Sequence, residues 1–224
     1  MRLSERYSSD KEAIKEIREF LSSSTFLSGL LDADDLYEYF ETSLSEDLDI
    51  LASSSFGPPL RYEYPKVGIV EAMPYNDSYE IEFDREIVEE ILEELVDEDP
   101  ERFAELVDKI AVIASHELTH QQQFDKSGGR VVPFKDDSDE AYLASPREVD
   151  AHAVGAVEEL LSLGLSPQDI LQNLSSSKGV EKLIQSDQFY KYYKVIYPLI
   201  DQKKYSKVWK QFIGTMYEIL EEEA

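Results

Sequence analysis

Residues 99–126 read DPERFAELVDKIAVIASHELTHQQQFDK, and the fold of the rest of the chain is reasoned outward from this stretch. Asp99 can cap a helix, and Pro100 suits its first turn, where a missing N–H costs nothing. Phe103, Leu106, Val107, Ile110, Ile113, Ala114, Leu118 and Phe124 recur every three or four residues and form one apolar stripe. Gly128-Gly129 then stops the pattern, so the spacing predicts a helix from Pro100 to about Lys126. Within it lies His116-Glu117-Leu118-Thr119-His120, which holds two of the chain's three histidines. Residues four apart share a helix face one turn apart, so both imidazoles can converge on one divalent ion. At this composition the pattern arises by accident with a probability of about half a per cent, which weighs against two incidental histidines on a charged helix. Glu117 falls inside the apolar stripe, a costly place for a carboxylate unless a cation or partner is near. Zinc bound there leaves room for water, and Glu117 is placed to take a proton from it.

Two protein ligands do not hold zinc firmly, so a third donor is needed. Residues 141–153, AYLASPREVDAHA, offer Glu148, Asp150 and His152. Ser145 and Glu148 also have the spacing of a helix capping box, which would tie the carboxylate to the backbone. His152 is the last histidine of the chain, one turn beyond Glu148, and suits either the metal or a hydrogen bond to one of its ligands. The chemistry of these residues leaves the choice open.

HELTHQQQ (116–123) and YLASPREVDAHA (142–153) together resemble the zincin-like metallopeptidases of the gluzincin type, and most of all a compact phage and bacterial group with HELxHxxQ followed by YLxxPxExxAxA. The resemblance implies His116, His120 and Glu148 as zinc ligands, Glu117 as general base, and a zincin-like core. It also suggests Tyr79 to Phe83 as an edge strand along which an extended peptide substrate lies. Many gluzincins carry an Asp four residues after the ligand Glu; this chain has His152 there, which keeps His152 beside Glu148 as a candidate ligand. Tyr142 is placed to donate a hydrogen bond to the oxyanion of a tetrahedral intermediate, against the plainer role of a packing tyrosine among fourteen. Gln123 and Arg147 suit support of a ligand and a substrate carboxylate respectively, or plain solvated surface. A di-iron bundle needs a second Glu-x-x-His, and Ala151 follows Glu148 at that spacing. A cysteine-ligated deformylase-like site is excluded by the absence of cysteine, and a third histidine soon after the motif by residues 125–130.

The remaining composition sets the class. A chain of 224 residues with 42% apolar and 11% aromatic residues supports a packed core despite a net charge of −26. Without cysteine, disulfide scaffolds, zinc fingers and iron–sulfur clusters are out. No apolar run reaches the ~18–20 residues of a membrane span, and MRLSERYSSDKEAIKEI has no signal-peptide core, so a cytoplasmic or virion-associated location is expected. The acidity disfavours duplex nucleic acid as a partner. Glu82 to Asp108 carries thirteen acids against Arg85 and Arg102, whereas Lys178 to Lys210 holds eight lysines among Phe189, Tyr190, Tyr192, Tyr193, Tyr197, Tyr205 and Trp209. That C-terminal stretch is expected to be a packed helical layer; a surface for single-stranded nucleic acid or for a virion or other protein partner is the sharper alternative.

The expected fold is α+β, mainly helical, in a single domain: an N-terminal helical extension (1–57), a zincin-like core (58–165) and a C-terminal helical part (166–224). Helices are expected from Ser9 or Asp10 to Leu21, from Asp34 to Leu51, from Arg85 to Val96, from Ser145-Pro146 to near Gly164, briefly after Ser166-Pro167, and over Gln188–Leu199 and Lys203–Glu222. A break falls at Ser53 to Pro59, and strands at Arg61 to Ala72 and Ser78 to Phe83. The expected function is zinc-dependent hydrolysis of peptide bonds. The rival is a non-catalytic zinc-binding virion or assembly component, in which Glu148 and His152 together close the site.

Overall fold

A computed structural model describes residues 12, 14–48, 50–55, 69–75, 78–97, 99–126 and 138–223, and these are mainly helical. Contacts divide the chain into two compact units, one of Glu12–Glu117 and one containing Leu118–Ala224. The break expected at Ser53 to Pro59 is overturned at its start, because residues 53–55 are extended and pair with a later strand. Its remainder at 56–59, the strand at 61–68, the stop at Gly128-Gly129 and the cap at Ser9 or Asp10 lie outside the described residues.

The unit Glu12–Glu117 opens with α1 (14–21). A second helix the sequence did not announce, α2 (Ser24–Leu31), begins where the Ser23 hydroxyl accepts the Phe26 N–H at 3.1 Å. Helix α3 (Leu36–Asp47) is capped by Asp35 and ends four residues before the expected Leu51. The chain then turns extended as β1 (Ile50–Ser55), followed by β2 (Ile69–Tyr75) and β3 (Ser78–Asp84). Strand β1 pairs in parallel with β3, from Ile50 opposite Tyr79 to Ser55 opposite Asp84. Strand β2 pairs antiparallel with β3, with an irregularity between Ile69 and Glu71. The strand order is therefore β1-β3-β2. Tyr79 to Phe83 is central, not an edge: both sides of its backbone are already engaged, so no substrate can add to it. Period-two alternation holds within it, with Ile81 and Phe83 fully buried and Glu80 and Glu82 partly exposed.

Asp84 caps α4 (Arg85–Val96) by accepting the Ile87 N–H. Arg85 bonds Glu89 at 2.6 Å and Asp35 at 3.0 Å and lies 4.8 Å over the Tyr37 ring, tying α4 to the start of α3. Helix α5 (Glu101–Lys126) starts as expected, with Asp99 accepting the Glu101 N–H at 3.4 Å, and is 26 residues long, about 39 Å. Phe103 stacks on Phe26 with ring centroids 6.0 Å apart, and Phe40 meets Phe83 edge-on at 5.5 Å. These rings join α2, α3, β3 and α5 in one apolar centre.

The boundary between the units falls inside α5, between Glu117 and Leu118. Beyond it come α6 (Asp139–Leu143), α7 (Pro146–Ser162), α8 (Pro167–Leu174), α9 (Ser177–Val180), α10 (Asp187–Val195) and α11 (Lys203–Glu223). The helix expected over Gln188–Leu199 stops at Val195, and a 3-10 turn takes in Tyr197–Leu199 around Pro198, which cannot donate to the helix ladder. Helix α7 is the axis of this unit: Val149, Ala153, Val154, Ala156, Val157 and Leu160 are buried against Phe189, Tyr192, Phe212, Met216 and Leu220 of α10 and α11. It ends where expected. Gly164, at φ +86°, donates to the Leu161 carbonyl at 3.0 Å, and Leu165 donates to the Leu160 carbonyl at 3.2 Å. This is a Schellman closure, in which the left-handed position favours glycine. Gly164→Ala is expected to lower unfolding free energy by about 1–2 kcal/mol in urea titration, the cost of placing a Cβ in that conformation.

Among the described residues no helix is long and apolar enough to cross a membrane.

Candidate metal centre

The middle of α5 is buried without interruption from Ile110 to Glu117, which makes its polar residues informative. His116 is 7% exposed, Glu117 6% and His120 6%. On α7, Glu148 is 4% and His152 2% exposed. Ionisable side chains buried this deeply are held by partners or cations.

His120, Glu148 and His152 converge. His120 Nε2 lies 3.3 Å from Glu148 Oε2, and His152 Nε2 lies 3.9 Å from the same oxygen. His116 stands one turn back from His120 on α5. A tetrahedral zinc with ligands at ~2.0–2.1 Å holds neighbouring donor atoms roughly 3.4 Å apart; the His120–Glu148 spacing of 3.3 Å meets this and the His152–Glu148 spacing of 3.9 Å is wider. Glu117, next along α5, places Oε1 3.9 Å from His116 Nε2.

Hydrogen bonds behind the rings orient them. Gln123 donates through Nε2 to the Arg147 carbonyl at 3.0 Å, which leaves its Oε1 to accept from His120 Nδ1 at 3.3 Å. His152 Nδ1 bonds Gln188 Oε1. Each ring thereby directs Nε2 toward the Glu148 carboxylate, where a protonated nitrogen makes an ion pair and a neutral one has a lone pair to give a metal ion. A dication would offset the charge of Glu148, and the His and Glu donors, their burial and the direction of the two rings fit zinc.

The other candidates fall elsewhere. Asp150 is turned to α11, accepting from Gln211 at 3.1 Å and Thr215 at 3.2 Å. The Ser145–Glu148 capping box is not formed, for Ser145 makes no side-chain cap bond and Glu148 faces His120 instead. A capping box does form two elements later between Ser166 and Asp169. Tyr142 is 38% exposed, and its ring stands edge-on to His152 with centroids 6.1 Å apart, which places it at the rim of the group. Arg147 contributes its backbone carbonyl to Gln123.

Beneath His152 lies Tyr192, ring centroids 5.3 Å apart, with its hydroxyl donating to the Leu143 carbonyl at 2.7 Å. Burial, with Glu148 and Asp150 nearby, pushes that hydroxyl's pKa well up, so it stays a neutral donor. The C-terminal aromatic run is largely core: Phe189 and Tyr192 are buried, and Tyr193, Tyr205 and Trp209 pack against the same cluster, while Tyr190 is 42% exposed. Two residues at the centre escaped the sequence reading, Gln188 and Glu159. The one signal for Glu159 was a pair of acids, Glu158-Glu159, inside the apolar run AVGAVEELL. Gln188 left none.

Comparison of the chain with models of known protein families, with curated proteins and with solved structures finds no match.

Proposed function

We propose that the protein is a zinc-dependent hydrolase of peptide bonds, with a centre resembling that of gluzincin-type metallopeptidases. The observation that carries this reading is the convergence of His120 and His152 on the Glu148 carboxylate, with His116 one turn before His120 on the same helix and Glu117 next to it in the chain. His116, His120 and Glu148 would hold the ion, and His152 supplies a further nitrogen. A bound zinc ion lowers the pKa of a coordinated water toward ~7 and polarises a carbonyl oxygen. Glu117 accepts the proton of the attacking water and passes it to the leaving amine. Tyr142, at the rim, donates a hydrogen bond to the developing oxyanion.

Metal analysis tests the first requirement. Gently purified protein should carry about one zinc per chain, and His120→Ala should lose most of it. A wild-type protein that stays empty when dialysed against micromolar zinc ends the reading.

A second reading is favoured by one observation, the approach of His152 Nε2 to the Glu148 carboxylate. Four protein donors close a tetrahedral site, and closed sites are structural. Cobalt substitution separates the two: an open centre changes its visible spectrum when a hydroxamate is added, and a closed one does not.

A further inference from the structure

Helix α10 is held against α7 at two points, and one of them is a prospective metal ligand. The helix starts where Ser186 Oγ accepts the Phe189 N–H at 3.1 Å. That start is gripped from α7 by Glu159, 3% exposed, whose Oε2 accepts from the Ser186 hydroxyl at 2.7 Å and from the Gln188 N–H at 3.1 Å. A carboxylate at this end of a helix is favoured by the exposed N–H groups and the helix dipole. The side chain of Gln188, also 3% exposed, bonds His152 Nδ1 through Oε1. His152 and Glu159 are seven residues apart, two turns of α7, and so share the face that meets α10.

We propose that Gln188 is the positioning residue for His152, held in place by Glu159, so that α10 completes the metal centre. This rests on the metal-binding reading above. An imidazole that gives Nε2 to a metal keeps its proton on Nδ1 and needs an acceptor there; that acceptor sets the tautomer and the ring angle. Gln188 Oε1 is that acceptor. A neutral amide suits the place better than a carboxylate would, because Glu148 already brings a negative charge to the centre. The charge of Glu159 is spent on the end of α10 instead. Gln123 does the corresponding work for His120 from within α5, whereas His152 depends on a helix that follows it by more than thirty residues. Zinc binding and the seating of α10 are therefore coupled: each favours the other.

The test uses the full chain. Zinc affinity is measured by chelator competition for wild type, Gln188→Met and Gln188→Glu, and the cobalt-loaded proteins are examined by NMR for exchangeable, strongly shifted ring N–H signals. Gln188→Met, similar in size but without the acceptor, should bind zinc about 10–100-fold more weakly and lose the protected signal of His152. Gln188→Glu, which restores an acceptor at the cost of an added charge, should recover part of the affinity and the protected N–H signal of His152, a rescue that a role in packing alone would not produce. Should Gln188→Met fail to fold, Ser186→Ala is read the same way, with a few-fold loss expected from the loosened start of α10. Wild type that binds zinc, with Gln188→Met within twofold of it and the N–H signal retained, overturns this inference alone. Wild type that binds no zinc overturns the metal-binding reading as well.

Discussion

Glu117→Gln is expected to leave zinc content unchanged while cutting hydrolysis of an unfolded protein such as casein by about 10²–10⁴-fold, the usual consequence of losing a general base. Glutamine has the shape of glutamate and keeps its hydrogen-bonding oxygen, so burial at this position, 6% exposed, is not disturbed. It cannot take a proton from water. The neighbouring geometry favours a base rather than a ligand: Glu117 lies 3.9 Å from His116 Nε2, while Glu148, from another helix, is the carboxylate on which His120 and His152 converge. Zinc content and cleavage rate measured on the same preparations separate the alternatives. Equal cleavage by the variant removes Glu117 from the chemistry. Loss of zinc makes it a ligand. A wild-type protein that holds zinc but cleaves nothing favours the closed structural centre, and then the substitution changes neither readout.

The helices were legible wherever local chemistry dictates them. Asp99-Pro100, Ser145-Pro146 and Ser166-Pro167 each mark a start found within a residue or two, and Gly164 marks an end, because caps and closures are made by residues adjacent in sequence. Strand β1 was not legible. ILASSS has no alternation and little β propensity, and it is extended because β3, about thirty residues later, supplies parallel backbone partners. The same non-local pairing puts β3 in the centre of the sheet and overturns its expected role as a substrate edge. At the metal centre, the turn from His116 to His120 could be read from spacing alone. The question of Glu148 against His152 could not, since it depends on whether Ser145 or His120 wins the carboxylate. The structure brings both residues to one place. Gln188 and Glu159 were beyond reach because their work is done across the α7–α10 contact, where nothing in the spacing of either helix announces the partner.

The unit that carries α7 should be most sensitive at Phe212. Phe212→Ala is expected to cost about 3–5 kcal/mol of unfolding free energy, the range for deleting a buried aromatic ring that its surroundings cannot replace. Phe212 is fully buried, and its ring lies parallel to that of Tyr192 with centroids 4.2 Å apart and an angle of 2° between them. Phe189 at 5.7 Å and Trp209 at 5.9 Å close in around it. Three large aromatic neighbours fixed on α10 and α11 cannot collapse into the vacated volume without breaking their own contacts, so the cavity term adds to the lost transfer energy. Phe212→Leu, which refills most of the space, should cost less, about 1–1.5 kcal/mol. Urea titration with an unchanged slope measures both. The consequence should reach the metal centre, because Tyr192 stacks on Phe212 and also meets the His152 ring, with centroids 5.3 Å apart. Phe212→Ala should therefore weaken zinc binding although it touches no ligand. A loss of stability below 1 kcal/mol would mean that the aromatic stack repacks, and an unchanged zinc affinity would mean that Gln188 alone fixes His152.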